Sequence, residues 1–207
     1  MMSEPDDRYS TSMAAANVYG LVLGAIGVAA LVAVHWAVWG WDETRMAARD
    51  FFDNPFVWIP AAAAALVVHE GLHGLFWGWL GGGGRSSIRY GFQWKTMTPF
   101  AHCKVPIQAG AYRIGTAAPG LIVGVLPALA GTFAGWGWLA GFGWFMTLVA
   151  GGDALVLVLI RSLEGSRLVE DHPVRAGCVV RTEAAIAGAR DAAGLEPVKT
   201  ASNDLKA

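Results

Sequence analysis

Four long apolar stretches alternate with short polar ones along this chain. They run from about Ala16 to Trp41, from Pro55 to Leu80, from Ile114 to Phe133 and from Trp138 to Ile160. Each supplies the ~20 apolar residues that a helix needs to cross the hydrocarbon core of a bilayer. The pattern therefore predicts four membrane-spanning helices. The first stretch is much longer than a signal-peptide core, and the start MMSEPDDRYSTS is acidic rather than basic, so it reads as a retained span. Between the second and third stretches the period changes. Ile88, Tyr90, Phe92 and Trp94 alternate with other residues, as a half-buried strand does. Thr98-Pro99 reads as a turn and Ala101–Ile107 as a returning strand, which together make a small hairpin. Beyond Arg161 the chain is polar. Glu170-Asp171-His172-Pro173 reads as a turn or helix stop, and Arg181–Ala193 as a short helix ended by Gly194. The last dozen residues are expected to be disordered. The expected fold is an all-α membrane protein with four transmembrane helices and a small cytoplasmic β-hairpin between helices two and three. Residues 1–15 form a leading segment, 16–163 the membrane domain with its hairpin loop at 84–112, and 164–207 a tail.

Charge gives this layout a direction. Only 15% of residues are charged and 55% are hydrophobic, whereas soluble domains run near a quarter charged. Of the 15 Lys and Arg residues, all but Arg45 and Arg49 fall on the side shared by the N-terminus, the Gly81–Arg113 loop and the tail. Positive residues concentrate on the cytoplasmic side, so both termini are expected in the cytoplasm and the chain in the cell membrane. Trp36, Trp39, Trp41, Trp58, Trp136 and Trp138 fall near the outer boundary of that layout, and Trp77 and Trp79 near the inner one. Amphipathic rings favour both interfaces. A net charge of -1 argues against a nucleic-acid partner. The cysteines Cys103 and Cys178 form no CxxC and no disulfide framework.

The chemistry lies in the second stretch, at His69-Glu70-Gly71-Leu72-His73. Two histidines four residues apart lie on one helix face, one turn apart, where both rings reach one metal ion. Glu70 stands beside the first, where it can take a proton from a water and return one to a leaving amine. Val67 to Trp79 contains no proline, so the helix is expected to be unbroken. Each charged group within a span costs at least ~2.5 kcal/mol, so such residues are rarely idle. The bland alternative is a pair of histidines hydrogen-bonded between helices. A haem site suits the spacing poorly, because adjacent turns cannot supply both axial ligands.

A zinc hydrolase site takes three protein ligands and leaves the fourth position open. Asp153 is the further acidic residue inside a span. It lies seven residues before the end of span four, as His73 lies seven before the end of span two. At ~1.5 Å per residue both are roughly 10 Å below the inner surface, with His69 about one turn deeper. Gly151 and Gly152 would let helices approach there. Pairing with His35, or a proton relay, are the other readings of Asp153. His35 lies in the outer half of span one, a poor depth match, and reads as structural or interfacial. His102, Cys103, His172 and Cys178 match no zinc spacing and read as loop residues with local hydrogen bonds. Pro127 predicts a kink in span three, and Gly124 and Ala128 predict close helix packing.

With these residues in view, the chain resembles the site-2 protease class of intramembrane metalloproteases. It resembles more closely the putative zincin peptidase family of small prokaryotic membrane proteins. The likeness rests on HEGLHGLF in the second span, on Tyr112-Arg113-Ile114 with Pro119, on Gly152-Asp153, and on Asp171-His172-Pro173 with Gly177-Cys178. It covers roughly residues 55–180. The resemblance implies zinc held by His69, His73 and Asp153, with Glu70 as catalytic base. The chain departs from the site-2 pattern because Thr147–Gly152 contains neither the Asn nor the Pro which that class has before its Asp.

These readings lead to a zinc-dependent metalloendopeptidase, membrane-embedded, acting on a membrane protein or peptide in an extended form. Pairing with an edge of the hairpin is one way to hold such a segment. The rival classes are a non-catalytic membrane protein with a structural or sensory metal site, and a transporter-like protein. The lack of inverted-repeat signs weighs against the transporter.

Overall fold

The computed structural model describes residues 7–94 and 98–181. The predicted helix at 181–193, its stop at Gly194, the disordered end and the first six residues lie outside the described residues, apart from Arg181. The elements are β1 (Ser10–Thr11), α1 (Met13–Phe52), α2 (Pro55–Leu80), β2 (Ile88–Gln93), β3 (Thr98–Cys103) and β4 (Ile107–Gln108). They continue with α3 (Ala109–Pro119), a π-helical segment (Gly120–Val125), α4 (Leu126–Ala134), α5 (Gly137–Val149), α6 (Gly151–Leu159), β5 (Leu168–Asp171) and β6 (Ala176–Arg181).

Three helical runs are long and apolar enough to cross a membrane: α1, α2 and Ala109–Ala134. The pair α5 and α6, bent by 43° at Ala150, makes a fourth if it is one span. Local chemistry accounts for the helix ends. Ser12 caps α1 by accepting from the Ala15 N–H at 3.2 Å. Asn54 caps α2 and Pro55 occupies its first position, where no N–H is needed. Pro127 has no N–H for the fourth carbonyl back, and the π segment lies immediately before it, with the Leu126 N–H reaching the Leu121 carbonyl. The kink expected in span three takes this form.

Helices approach closely where glycine removes the side chain. A Cβ on Gly151 would lie 2.1 Å from the Gly20 carbonyl, which joins α6 to α1. A Cβ on Gly124 would lie 2.8 Å from Thr147 Oγ1, and one on Gly143 would meet the Ala128 backbone at 2.2 Å. The predicted packing role of Gly124 and Ala128 is realised there.

Three features differ from the sequence expectation. Gly40 breaks α1 with φ 82° and ψ 175°, and residues 41–52 continue as a helix rather than a loop. Thr44, Ala47 and Phe51 are buried on one face of that helix, and the Phe51 ring meets Trp138 and Phe142 of α5 edge to face. The returning hairpin strand is Thr98–Cys103, so Thr98-Pro99 opens a strand rather than forming a turn. Residues 168–181 are not a free tail. They pair as β5 and β6 in an antiparallel sheet of order β1-β6-β5-β4, with the turn at 172–175. That sheet gathers the N-terminal segment, the α2–α3 connection and the C-terminal segment at one end of the helices.

Candidate metal centre

Helix α2 carries two adjacent stripes of four-residue spacing. His69, His73 and Trp77 form one, and Glu70, Gly74 and Gly78 the other. The first stripe faces α3 and Asp153. His69 and His73 are 5% and 4% exposed, and their rings lie edge to face with centroids 4.9 Å apart. Asp153 stands in the first turn of α6 and reaches both. Its Oδ2 lies 3.0 Å from His69 Nε2 and its Oδ1 lies 3.3 Å from His73 Nε2. The matched depth of His73 and Asp153 along their spans thus appears as direct approach.

The tautomer of His73 follows from its other nitrogen. Nδ1 donates to the Gly115 carbonyl of α3 at 2.9 Å, which leaves the Nε2 lone pair facing Asp153. Asp153 Oδ2 is buried and, among the described residues, accepts no hydrogen bond despite its closeness to His69. Two imidazole nitrogens and a carboxylate therefore converge as electron-pair donors. That set fits a borderline divalent cation such as zinc, and a cation between them relieves the unmatched acceptors. Ligand atoms of His69, Glu70 and His73 also lie within 4.8 Å of one another.

The surroundings hold these groups in place. Trp77 stacks on His73 at 4.8 Å and on Tyr112 at 5.3 Å, and its Nε1 donates to the Tyr112 carbonyl at 3.1 Å. Gly115 must be glycine, since a Cβ there would lie 2.1 Å from the Trp77 ring. Arg113 donates to the Ile160 carbonyl at 2.7 Å and to the Leu163 carbonyl, tying α3 to the end of α6. The Tyr112-Arg113 pair flagged in the sequence thus joins the elements that carry the centre.

The second stripe faces the hairpin. Glu70 Oε2 accepts the Ala101 N–H of β3 at 2.7 Å. A Cβ on Gly74 would lie 2.0 Å from Tyr90 Oη, and one on Gly78 would lie 2.8 Å from the Gly84 carbonyl. Sequence reading did not anticipate Gly115, Trp77 or the Ala101 N–H in the site. Two of these act through backbone atoms, which leave no side-chain signal.

The other candidates lie elsewhere. His35 is buried and bonds Thr44 Oγ1 at 2.9 Å, away from the histidine pair, as its structural reading expected. His102 Nδ1 lies 3.1 Å from Asp171 Oδ2. His172 Nδ1 accepts the Val174 and Arg175 N–H groups of the β5–β6 turn. Cys103 and Cys178 are free and buried in one apolar cluster with Trp77 and Tyr112. Burial pushes the Cys103 thiol up and the Cys178 thiol up to about 12.

The family described as putative zincin peptidase matches residues 62–165, half of the chain. The matched residues include His69, Glu70, His73, Tyr112, Arg113 and Asp153. Neither the curated proteins nor the solved structures yield a match.

Proposed function

The chain belongs to the putative zincin peptidase family, and from that premise we propose that it is a zinc-dependent endopeptidase working within the membrane near its cytoplasmic face. Family membership points to a metallopeptidase and to zinc. The observation that carries the finer reading is the convergence of His69 Nε2, His73 Nε2 and both Asp153 oxygens beside Glu70, on helices long and apolar enough to cross a bilayer.

His69, His73 and Asp153 would hold the ion. A bound zinc supplies Lewis acidity, which acidifies a water and polarises a carbonyl. Glu70 acts as general base and then general acid, taking a proton from the attacking water and delivering one to the leaving nitrogen. The Ala101 N–H fixes one Glu70 oxygen and leaves the other for that transfer. Gly115 holds the His73 ring so that Nε2 keeps its lone pair for the ion. The substrate is a membrane-associated protein or peptide that presents an extended segment, since helical peptide bonds are shielded. Both termini face the cytoplasm in this reading, because the strands that gather at one end of the helices include the arginine-bearing segments.

The test separates metal from chemistry. Purified chain in detergent should hold about one zinc, lost on His69→Ala or Asp153→Ala. Glu70→Gln should keep the zinc and lower cleavage by about 10²–10⁴-fold. A Glu70→Gln chain that cleaves as the wild type does would sink the peptidase reading. It would favour the structural or sensory metal site.

A further inference from the structure

Asp171 ends β5, far along the chain from the histidine pair, yet its carboxylate joins three elements. Oδ1 accepts the Tyr112 hydroxyl of α3 at 2.6 Å. Oδ2 accepts the Cys103 N–H of β3 at 3.0 Å and lies 3.1 Å from His102 Nδ1. Both routes lead on to the candidate centre. Along β3, Ala101 stands two residues before Cys103 and gives its N–H to Glu70. Along α3, Tyr112 stacks on Trp77, which stacks on His73, and Gly115 less than one turn later accepts from His73.

The edge of β3 sharpens the point. In an antiparallel pair, every second residue turns its N–H away from its partner strand. Ala101 and Cys103 are such residues, because their N–H groups go to Glu70 and Asp171 rather than to β2. Pro99, the outward residue before them, has no N–H. The edge of β3 beside Glu70 is therefore closed by two carboxylates and a proline.

We propose that Asp171 is a positioning residue: it clasps β3 to α3 and so seats the Ala101 N–H on Glu70. The clasp rests on the reading of Glu70 as general base only for its catalytic consequence. Its structural content stands on β3 and α3 alone. A charge-assisted hydrogen bond to a backbone amide is among the stronger contacts in a protein. Without it, β3 is held on α2 by Glu70 and the packing of Ile88 and Tyr90 on Gly74.

Hydrogen exchange on the full chain in detergent, read by mass spectrometry, tests the clasp without any substrate. Asp171→Asn should speed exchange in residues 98–103 by about ten- to hundredfold, with residues 176–181 unchanged and one zinc still bound. Tyr112→Phe keeps the ring stack and removes one arm of the clasp, and should move the same segment in the same direction. It also replaces Asp171→Asn if that chain does not fold. Unchanged exchange in 98–103 overturns the clasp. So does an equal rise in 176–181, which would make Asp171 a general support of its sheet. For any bilayer-embedded peptide that the wild type cuts and Glu70→Gln does not, Asp171→Asn should lower kcat about tenfold or more with KM held. Loosened β3 with kcat unchanged would overturn the positioning of Glu70. If Glu70→Gln itself leaves cleavage intact, the base assignment has failed, and the exchange data still decide the clasp.

Discussion

Replacing Gly151 with alanine should dismantle the metal centre from a distance. The added Cβ would lie 2.1 Å from the Gly20 carbonyl oxygen, 2.9 Å from the Gly20 carbonyl carbon and 2.9 Å from the Gly24 nitrogen. All three are backbone atoms of α1, so no rotamer change relieves the overlap. The oxygen alone is more than an ångström short of ordinary contact. Either α1 and α6 separate or α6 turns, at a cost of about 1–3 kcal/mol for overpacking. Asp153 lies two residues on, in the first turn of α6. Zinc–oxygen bonds sit near ~2.0–2.2 Å, so a shift of several tenths of an ångström removes a ligand. Zinc affinity should fall by about 10–100-fold, the range seen when the support of a ligand is lost. A competition titration against a chromophoric chelator measures it, with circular dichroism confirming the fold. Gly152→Ala is the matched control: a Cβ there meets nothing within 4 Å, and its zinc affinity should stay within about twofold of the wild type, since an unclashing exposed change has little effect. A folded Gly151→Ala chain with undiminished affinity would refute the argument that the α1–α6 approach seats Asp153.

Two further outcomes follow from groups outside the spans. Asp171 holds the His102 pKa above the usual histidine value of 6.5 by hydrogen bonding, with partial burial opposing the rise, Glu170 adding to it and Arg89 opposing it more weakly. The charged contact is therefore fully present below 6.5 and fades as pH rises through the raised value. Exchange in 98–103, corrected for intrinsic rates, should quicken across that window, and His102→Gln should flatten the trend. Cys103 and Cys178, with thiol pKa values raised by burial and the latter to about 12, should resist a soluble maleimide at neutral pH until the chain is unfolded. Rapid labelling of either in the folded chain would contradict their burial.

What the sequence made legible is what local periodicity encodes. A rise of ~1.5 Å per residue fixes depth within a span, so His73 and Asp153 could be matched before any contact was known. Alternation at Ile88, Tyr90 and Phe92 announced β2 for the same reason. The second sheet was not legible. Two of its strands, Ser10–Thr11 and Ile107–Gln108, are two residues long, and Ser10 pairs with Gly177 across most of the chain. Pairing at that separation leaves no period to read. The helix at 41–52 was hidden differently. It buries Thr44, Ala47 and Phe51, but its five charged residues resemble a loop by composition.

The site divides in the same way, and α2 shows why. His69, His73 and Glu70 are conspicuous because ionisable groups are costly in an apolar helix. Gly74 and Gly78 look from sequence like weak points of that helix. Beside the hairpin they take on a meaning, since a side chain at either would strike Tyr90 or the Gly84 carbonyl. Gly71, three residues before Gly74, meets nothing within 4 Å, so glycine alone did not announce the contact. A turn of ~100° separates neighbouring residues on a helix, and that small rotation splits the motif between two supports. His69 and His73 are oriented by α3 and α6, while Glu70 is oriented by the backbone of β3. The ligands and the base can therefore be perturbed separately. Gly151 acts on the first through α6, and Asp171 on the second through β3. A change that moves zinc affinity without moving β3, and one that moves β3 without moving zinc affinity, together express that division.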